Sequence, residues 1–151
     1  VLDVGMLRPG SLRFFAEQGV DLGVLGAEPE TLLESMEDFT GADAFGGALL
    51  WDLPNYLEEP DLVALGAWLE QRLAPGAPVY LALATRTPYA ARPRHYEIVD
   101  AGHLRVAADP TVGDREVIIS GPKLDRLWAA FEVDRSFLLR NGSQEYVWRR
   151  V

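Results

Sequence analysis

The sequence contains no cysteine, one lysine and two histidines among its 151 residues. The absence of cysteine excludes disulfides, thiolate metal sites and cysteine nucleophiles. Schiff-base chemistry is confined to Lys123, whose neighbours suggest no such role. The two histidines and the scattered carboxylates show no metal-ligand spacing, so we predict no metal. The motifs Gly-x-Ser-x-Gly and Gly-Lys-Ser/Thr are also missing, which argues against common hydrolases and phosphate-loop nucleotidases.

Long hydrophobic runs and positive charge are scarce as well. No apolar run approaches the roughly 20 residues that a membrane span needs, and no basic flank of a secretion signal opens the sequence. We therefore expect a cytoplasmic protein with no membrane partner. The net charge of −9 opposes attraction to phosphate backbones, so nucleic acid is not an expected partner. The length and globular composition predict one domain over residues 1–151.

Apolar runs typical of buried strands recur along the first half of the chain. The four predicted strands are 1–4, 20–25, 46–51 and 79–84. Amphipathic helices separate them, and a helical crossover returns the chain in the same direction, so the strands are predicted to be parallel. The pattern predicts an α/β fold with a doubly wound, mostly parallel sheet.

Serine marks two predicted helix starts. Ser11 is predicted to cap a helix that buries Leu12, Phe15 and Ala16 on one side. Ser120 is predicted to cap a later helix that carries an apolar stripe, which we interpret as core packing.

Three segments depart from the regular alternation. Residues 38–44 are too few for another strand with its crossover, so one βα unit is predicted to be missing or vestigial. Residues 86–111 are polar and rich in proline and aromatic residues, which indicates an inserted hairpin or long loop. Residues 117–119 are a candidate for a further short strand.

The chain closes on Asn141-Gly142, a strong hairpin signal, between predicted strands at 133–140 and 144–150. An α/β alternation that ends in an antiparallel hairpin resembles the class I S-adenosylmethionine-dependent methyltransferases. The segments that carry this resemblance are VLDVG at 1–5, GGALLWDLPNYL at 46–57, LEQRLAPGAPVYLAL at 69–83 and FLLRNGSQEYVWRR at 137–150. The resemblance implies a Rossmann-like sheet, S-adenosylmethionine as the cofactor, and loss of the family's third strand, which would expose the second strand as a new edge.

The first strand-to-helix turn departs from the family pattern. This turn approaches the ligand closely in open α/β folds and is therefore rich in glycine. Here Gly5 and Gly10 flank Met, Leu and Arg at 6–8, which we expect to block the cofactor pocket. The resemblance implies that Asp3 and Gly5 match the first-strand motif. Glu28 lies two residues beyond the position expected for the acid that binds the ribose hydroxyls.

Other candidate side chains follow the third predicted strand or lie in the insertion. By resemblance, Trp51 would stack on a base and Asp52 would accept a hydrogen bond from the ligand. Alternatively, Trp51 covers a core edge and Asp52 satisfies backbone donors in a turn. His95 is a candidate general base, or an ordinary surface histidine. The predicted catalytic residues are Asp52 and His95, and the predicted cofactor-binding residues are Asp3, Gly5, Gly10, Glu28, Trp51 and Asp52.

Two functions remain open at this point, because one scaffold hosts many activities. The first is a module that is degenerate in cofactor binding and serves binding or assembly, with a homodimer through the edge strand exposed by the missing unit. The second is an active S-adenosylmethionine-dependent methyltransferase acting on a small molecule or a protein, since such transfer depends mainly on alignment. A third interpretation is that a segment before Val1, which covers the cofactor in relatives, is missing.

Overall fold

The computed structural model describes residues 1–41, 44–108, 110–111, 113 and 115–151. Its strands are β1 (Leu2–Val4), β2 (Gly23–Leu25), β3 (Ala48–Trp51), β4 (Pro78–Ala84), β5 (His95–Asp100), β6 (His103–Ala107), β7 (Phe131–Leu138) and β8 (Ser143–Arg150). Six of them form one sheet in the order β2-β1-β3-β4-β8-β7. The first four pair in parallel, and β8 runs antiparallel to both of its neighbours. The predicted α/β sheet with a terminal antiparallel hairpin is confirmed.

Four α-helices accompany the strands: α1 (Pro9–Glu17), α2 (Leu32–Asp38), α3 (Glu59–Arg72) and α4 (Gly121–Leu127). Helix α3 buries Leu62, Leu65 and Leu69, whose three-and-four spacing forms one apolar face. Trp128, just after α4, packs on this helix and donates its indole N–H to the carbonyl oxygen of Leu62 at 2.7 Å. Among the described residues, no helix has the length and apolarity that crossing a membrane requires.

The predicted missing unit is confirmed within the described part of the chain. Between α2 and β3 the described residues hold no strand, only an isolated bridge from Phe45 to Leu73. Residues 42 and 43 of the predicted gap lie outside the described residues. Strand β2 therefore ends the sheet on one side.

Within 86–111, the segment predicted to be an inserted hairpin or long loop, β5 and β6 pair as a hairpin and form a sheet of their own, while residue 109 lies outside the described residues. The further short strand expected at 117–119 is wrong, because this segment has no strand pairing in the structure. Ile119 is buried in the core instead, whereas Val117 is exposed.

The predicted cap of α1 is also wrong. The helix begins at Pro9, and Arg8 stands at the capping position, because proline is favoured in the first helical turn. Ser11 lies inside the helix and is buried, where its hydroxyl accepts a hydrogen bond from the backbone N–H of Ile98 in β5 at 2.9 Å. The serine therefore attaches the inserted hairpin to α1.

The buried face of α1 differs from the prediction for the same reason. Phe15 is buried as expected, whereas Leu12 and Ala16 are exposed. The buried pair is Ser11 and Phe15, four residues apart on one helix face. The hairpin that packs on this face explains why a polar residue belongs to it.

The cap of α4 is confirmed, and it gives a first prediction. The Ser120 hydroxyl accepts a hydrogen bond from the backbone N–H of Lys123 at 3.3 Å. Ser120→Ala removes this acceptor, so we expect the free energy of unfolding in urea to fall by about 1 kcal/mol. Ser120→Thr keeps the hydroxyl and should lose less than half as much. Equal losses in the two variants would contradict the capping role.

Candidate functional site

A cavity of about 160 Å³ lies where β1, β2 and β3 end. Parallel strands place their carboxyl ends at the same edge of a sheet, which is where open α/β folds bind ligands. The predicted site residues that line the cavity are Gly5, Glu28, Trp51, Asp52 and His95. Asp3 and Gly10 lie outside its lining. The structure thus brings most of the candidate residues together, while their proposed roles stay predictions.

The Trp51 side chain is held by the protein on several sides. Its indole N–H donates to Asp3 Oδ1 at 2.7 Å. Its ring stacks on the ring of Tyr96, with centroids 4.9 Å apart and planes 11° apart. Its backbone φ is 53°, a left-handed conformation that is strained for a bulky residue. One face of the ring that was predicted to stack on a base is therefore in contact with Tyr96 of β5.

Asp3 lies beneath this tryptophan and is fully enclosed. Burial raises the pKa of the Asp3 carboxyl to about 6, and the hydrogen bond from Trp51 opposes that rise. The carboxylate orients the indole and does not reach the cavity. The acid in the middle of β1 therefore has a structural role, since its carboxylate holds the Trp51 indole.

Asp52 follows β3 and is also buried. Both of its carboxylate oxygens accept from the backbone N–H of Arg94, at 3.2 and 3.1 Å. Burial raises the pKa of Asp52 to about 6, and the contacts with Arg94 oppose that rise. The carboxylate thereby holds the segment that leads into β5 against the end of β3.

Asn55 connects the same turn to β4. Its side-chain amide donates to the carbonyl oxygens of Asp52 at 2.8 Å and Ala82 at 2.9 Å. Its amide oxygen accepts from the backbone N–H of Ala84 at 2.8 Å. These bonds use both donors and one acceptor of the side chain, so Asn55 fixes the turn after β3.

Gly10 is in contact with the inserted hairpin. Its backbone N–H, at the start of α1, donates to Glu97 Oε1 at 2.8 Å. This bond, together with an ion pair to Arg105 at 2.7 Å, holds the pKa of Glu97 below its usual range. A Cβ at position 10 would stand 2.6 Å from Glu97 Oε1. The glycine therefore permits a carboxylate of the protein itself to dock at a helix N-terminus, a position that favours anions.

Glu28 and His95 lie at the open side of the cavity. Glu28 forms an ion pair with Arg92 at 2.9 Å, and both side chains are about half exposed. Such a surface pair contributes little to stability. His95 is exposed, and its ring makes no hydrogen bond within the described residues. The second histidine, His103, is hydrogen-bonded to Asp100 at 2.8 Å, away from the cavity lining.

Sequence reasoning missed the residues that contact this site from the insertion: Arg92, Arg94, Tyr96 and Glu97. Their partners are remote in the chain, such as Gly10, which is 87 positions before Glu97. No local pattern identifies such pairs. The aromatic and proline content of 86–111 was the one available signal, and it indicated an insertion without its docking position.

Comparison with solved structures shows that the chain has the fold of S-adenosylmethionine-dependent methyltransferases. The glycopeptide N-methyltransferase MtfA matches with a TM-score of 0.57 and 14% identity, over 100% of this chain and 89% of that one. A methyltransferase from Mesorhizobium loti matches with a TM-score of 0.58 and 13% identity, over 99% of this chain and 90% of that one. A methyltransferase from Bacteroides fragilis, in complex with S-adenosylhomocysteine, matches with a TM-score of 0.59 and 13% identity, over 99% of this chain and 71% of that one. No protein-family model and no curated protein matches the sequence.

The cofactor implied by this fold does not fit the site in the conformation described. The cavity of about 160 Å³ is smaller than the roughly 300–1,000 Å³ of typical small-molecule sites. The groups predicted to bind the cofactor are also occupied, since Trp51 is stacked on Tyr96 and Asp52 is bound by Arg94. Of the three residues at 6–8 that were expected to block the pocket, Met6 lines the cavity, whereas Leu7 and Arg8 lie outside its lining.

Proposed function

We propose that this chain is a binding or assembly module built on a methyltransferase fold, with a cofactor site closed by its own residues. The supporting observation is the course of residues 92–97, here called the closing segment. It contacts the residue Glu28 beyond β2, then the end of β3 and finally the start of α1, and so meets one candidate ligand group after another. These contacts join Arg92 to Glu28, Arg94 to Asp52, Tyr96 to Trp51 and Glu97 to Gly10.

Displacing the closing segment is costly because Tyr96 is buried and stacked. Exposing an aromatic side chain and losing its stacking costs about 2–4 kcal/mol. A ligand that needs the open form binds more weakly by the same free energy, a factor of roughly 30 to 1,000. A site whose open form has a dissociation constant of about 100 μM would then bind with an apparent dissociation constant of roughly 3–100 mM.

A thermal unfolding measurement tests this proposal. A site with a dissociation constant of about 100 μM would stabilise the protein by about 1.4 kcal/mol at about 1 mM ligand. For a chain of this size, that corresponds to a rise in melting temperature of roughly 3–6 °C. We expect a shift below about 1 °C with S-adenosylmethionine and with S-adenosylhomocysteine. A rise of several degrees with either compound would contradict the proposal.

One observation favours the second candidate function, an active methyltransferase. Strained backbone conformations cluster at functional sites, and Trp51 holds such a conformation at the end of β3. For that function, the closing segment would have to leave the strand ends and expose Glu28 and Asp52 to the cofactor. The same melting experiment distinguishes the two functions, because only the second one predicts stabilisation by the ligand.

A further inference from the structure

We infer that a second cavity, between the inserted hairpin and the main sheet, binds a small apolar amino acid as its zwitterion. This cavity has a volume of about 260 Å³ and shares no described lining residue with the cavity at the strand ends. The inference rests on the proposed function, because it names a ligand of the binding module. The closing segment, in the position described, supplies Arg94 and Tyr96 to the lining.

The pairing within the hairpin leaves one apolar wall of this cavity free. Tyr96 is paired with Val106, so their side chains lie on the same face of the hairpin. Tyr96 fills its part of the space by stacking on Trp51. Leu104 lies on the same face as Val106, two residues away. These two side chains are 43% and 48% exposed, so the hairpin contacts the sheet at one end and leaves a gap at the other.

The facing wall belongs to β4 and β8. Glu145 is paired with Ala82 and Ser143 with Ala84, so the Glu145 and Ser143 side chains lie on the same face of the sheet. Their separation along the strand is about 7 Å, from a rise of about 3.4 Å per residue. The Glu145 carboxylate accepts from the Tyr80 hydroxyl at 2.8 Å. This wall therefore presents a carboxylate at a fixed distance from the Ser143 hydroxyl.

The Arg94 guanidinium lies at the Ser143 end of that wall. Its Nη1 is 3.5 Å from Ser143 Oγ, and the group also interacts with the Tyr96 hydroxyl. In the part of the chain that the structure describes, no carboxylate lies within ion-pair distance of this guanidinium, and its charge acts on Asp52 from farther away. A guanidinium has five N–H donors, so several are available to a ligand carboxylate.

The two charged side chains define the class of ligand. A carboxylate beside Arg94 and an ammonium beside Glu145 would each form a charge-assisted hydrogen bond of about 2.8 Å. Two such bonds joined by a short zwitterion span a distance comparable to the roughly 7 Å along β8. A simple anion would face Glu145 and a simple cation would face Arg94, and like charges oppose binding. The apolar side chain of the ligand would lie against Leu104, Val106 and Leu139.

Titration of the ¹⁵N-labelled protein with L-leucine, followed by amide chemical shifts, tests the inference. We expect a dissociation constant of about 1 mM or tighter, within the range that a ligand of this size can reach. The largest changes should occur at residues 104–106 and 143–145. Two analogues probe the charges: 4-methylpentanoate lacks the ammonium, and 3-methylbutylamine lacks the carboxylate. Each should bind roughly ten-fold more weakly than leucine.

Variants test the two ends of the cavity separately. Arg94→Met removes the guanidinium but keeps the backbone N–H that donates to Asp52, and should weaken leucine binding roughly ten-fold. Glu145→Gln keeps the shape of that side chain and should weaken leucine binding by a similar factor. The matched controls, Arg135→Met and Glu132→Gln, change exposed residues of β7 outside the lining and should leave binding unchanged. The analogues on the wild type give the same information if a variant does not fold.

An absence of shift changes with L-leucine up to about 10 mM would overturn the inference. Either analogue binding as tightly as leucine would overturn it too, as would unchanged binding in both Arg94→Met and Glu145→Gln. A protein that responds to neither leucine nor S-adenosylhomocysteine contradicts this inference alone. A protein that binds leucine, and that S-adenosylhomocysteine stabilises even with Arg94→Met, contradicts the closed site alone.

Discussion

Asn55→Ala is expected to lower the free energy of unfolding by about 3–5 kcal/mol, because it removes three side-chain hydrogen bonds to backbone groups at the site. The carbonyl oxygen of Ala82 and the N–H of Ala84 lose the partner that the side chain supplies, while the carbonyl oxygen of Asp52 keeps its bond from the backbone N–H of residue 55. The side chain that satisfies them is buried, so water does not replace it without rearrangement. Urea unfolding followed by circular dichroism measures the loss directly.

Two further variants sharpen this prediction. Asn55→Asp keeps the oxygen that accepts from Ala84 but offers no amide donors, so its loss should also be large. Gln71→Ala changes an exposed amide on α3 and should stay within about 0.5 kcal/mol of the wild type. A loss below about 1 kcal/mol for Asn55→Ala would show that these bonds do not fix the turn.

Asp52→Asn is expected to stabilise the protein at pH 8 by up to about 2.7 kcal/mol, which corresponds to about two pKa units. The pKa of Asp52 is about 6 in the folded protein because the carboxylate is buried. In the unfolded chain it returns to about 3.9. Ionisation of this group therefore opposes folding at high pH, and the neutral amide avoids that cost while it still accepts from Arg94.

The sign of the pH dependence follows from proton binding. Between about pH 4 and 6 the folded state binds more protons at Asp52 than the unfolded state, so this contribution to stability increases as pH falls. It is fully present below about pH 4 and is lost as pH rises through about 6. The benefit of Asp52→Asn should accordingly vanish near pH 4. Asp3, with a pKa of about 6 for the same reason, contributes with the same sign.

Glu70→Gln is the matched control, since it removes an exposed carboxylate of α3 and should show no comparable pH dependence. Melting temperatures of both variants and the wild type between pH 4 and 8 provide the comparison. A destabilised Asp52→Asn at pH 8 would show that the charged form is needed to hold Arg94.

Much of the sheet was predictable because its signals are local. Runs of apolar residues marked β1, β3 and β4, and Asn141-Gly142 marked the terminal hairpin. Counting residues between α2 and β3 predicted the missing unit. These features depend on hydrophobic periodicity and turn chemistry within a short window.

The contacts of residues 92–97 with the candidate site were not predictable, because they join segments that are remote in the chain. Gly10 was interpreted as a remnant of a cofactor-binding turn, yet in the structure it gives room to Glu97. Ser11 was interpreted as a helix cap, yet it binds β5. In both cases the residue type fits either role, and only the position of the inserted hairpin separates them.

Calorimetric titration of the protein with S-adenosylmethionine and S-adenosylhomocysteine tests the closed site most directly, because it requires no knowledge of an acceptor. We predict no binding heat up to about 1 mM ligand, since Tyr96 and Glu97 occupy the positions at the strand ends and at the start of α1. Binding at about 100 μM or tighter, worth roughly 5.5 kcal/mol, would contradict the account and support an active methyltransferase.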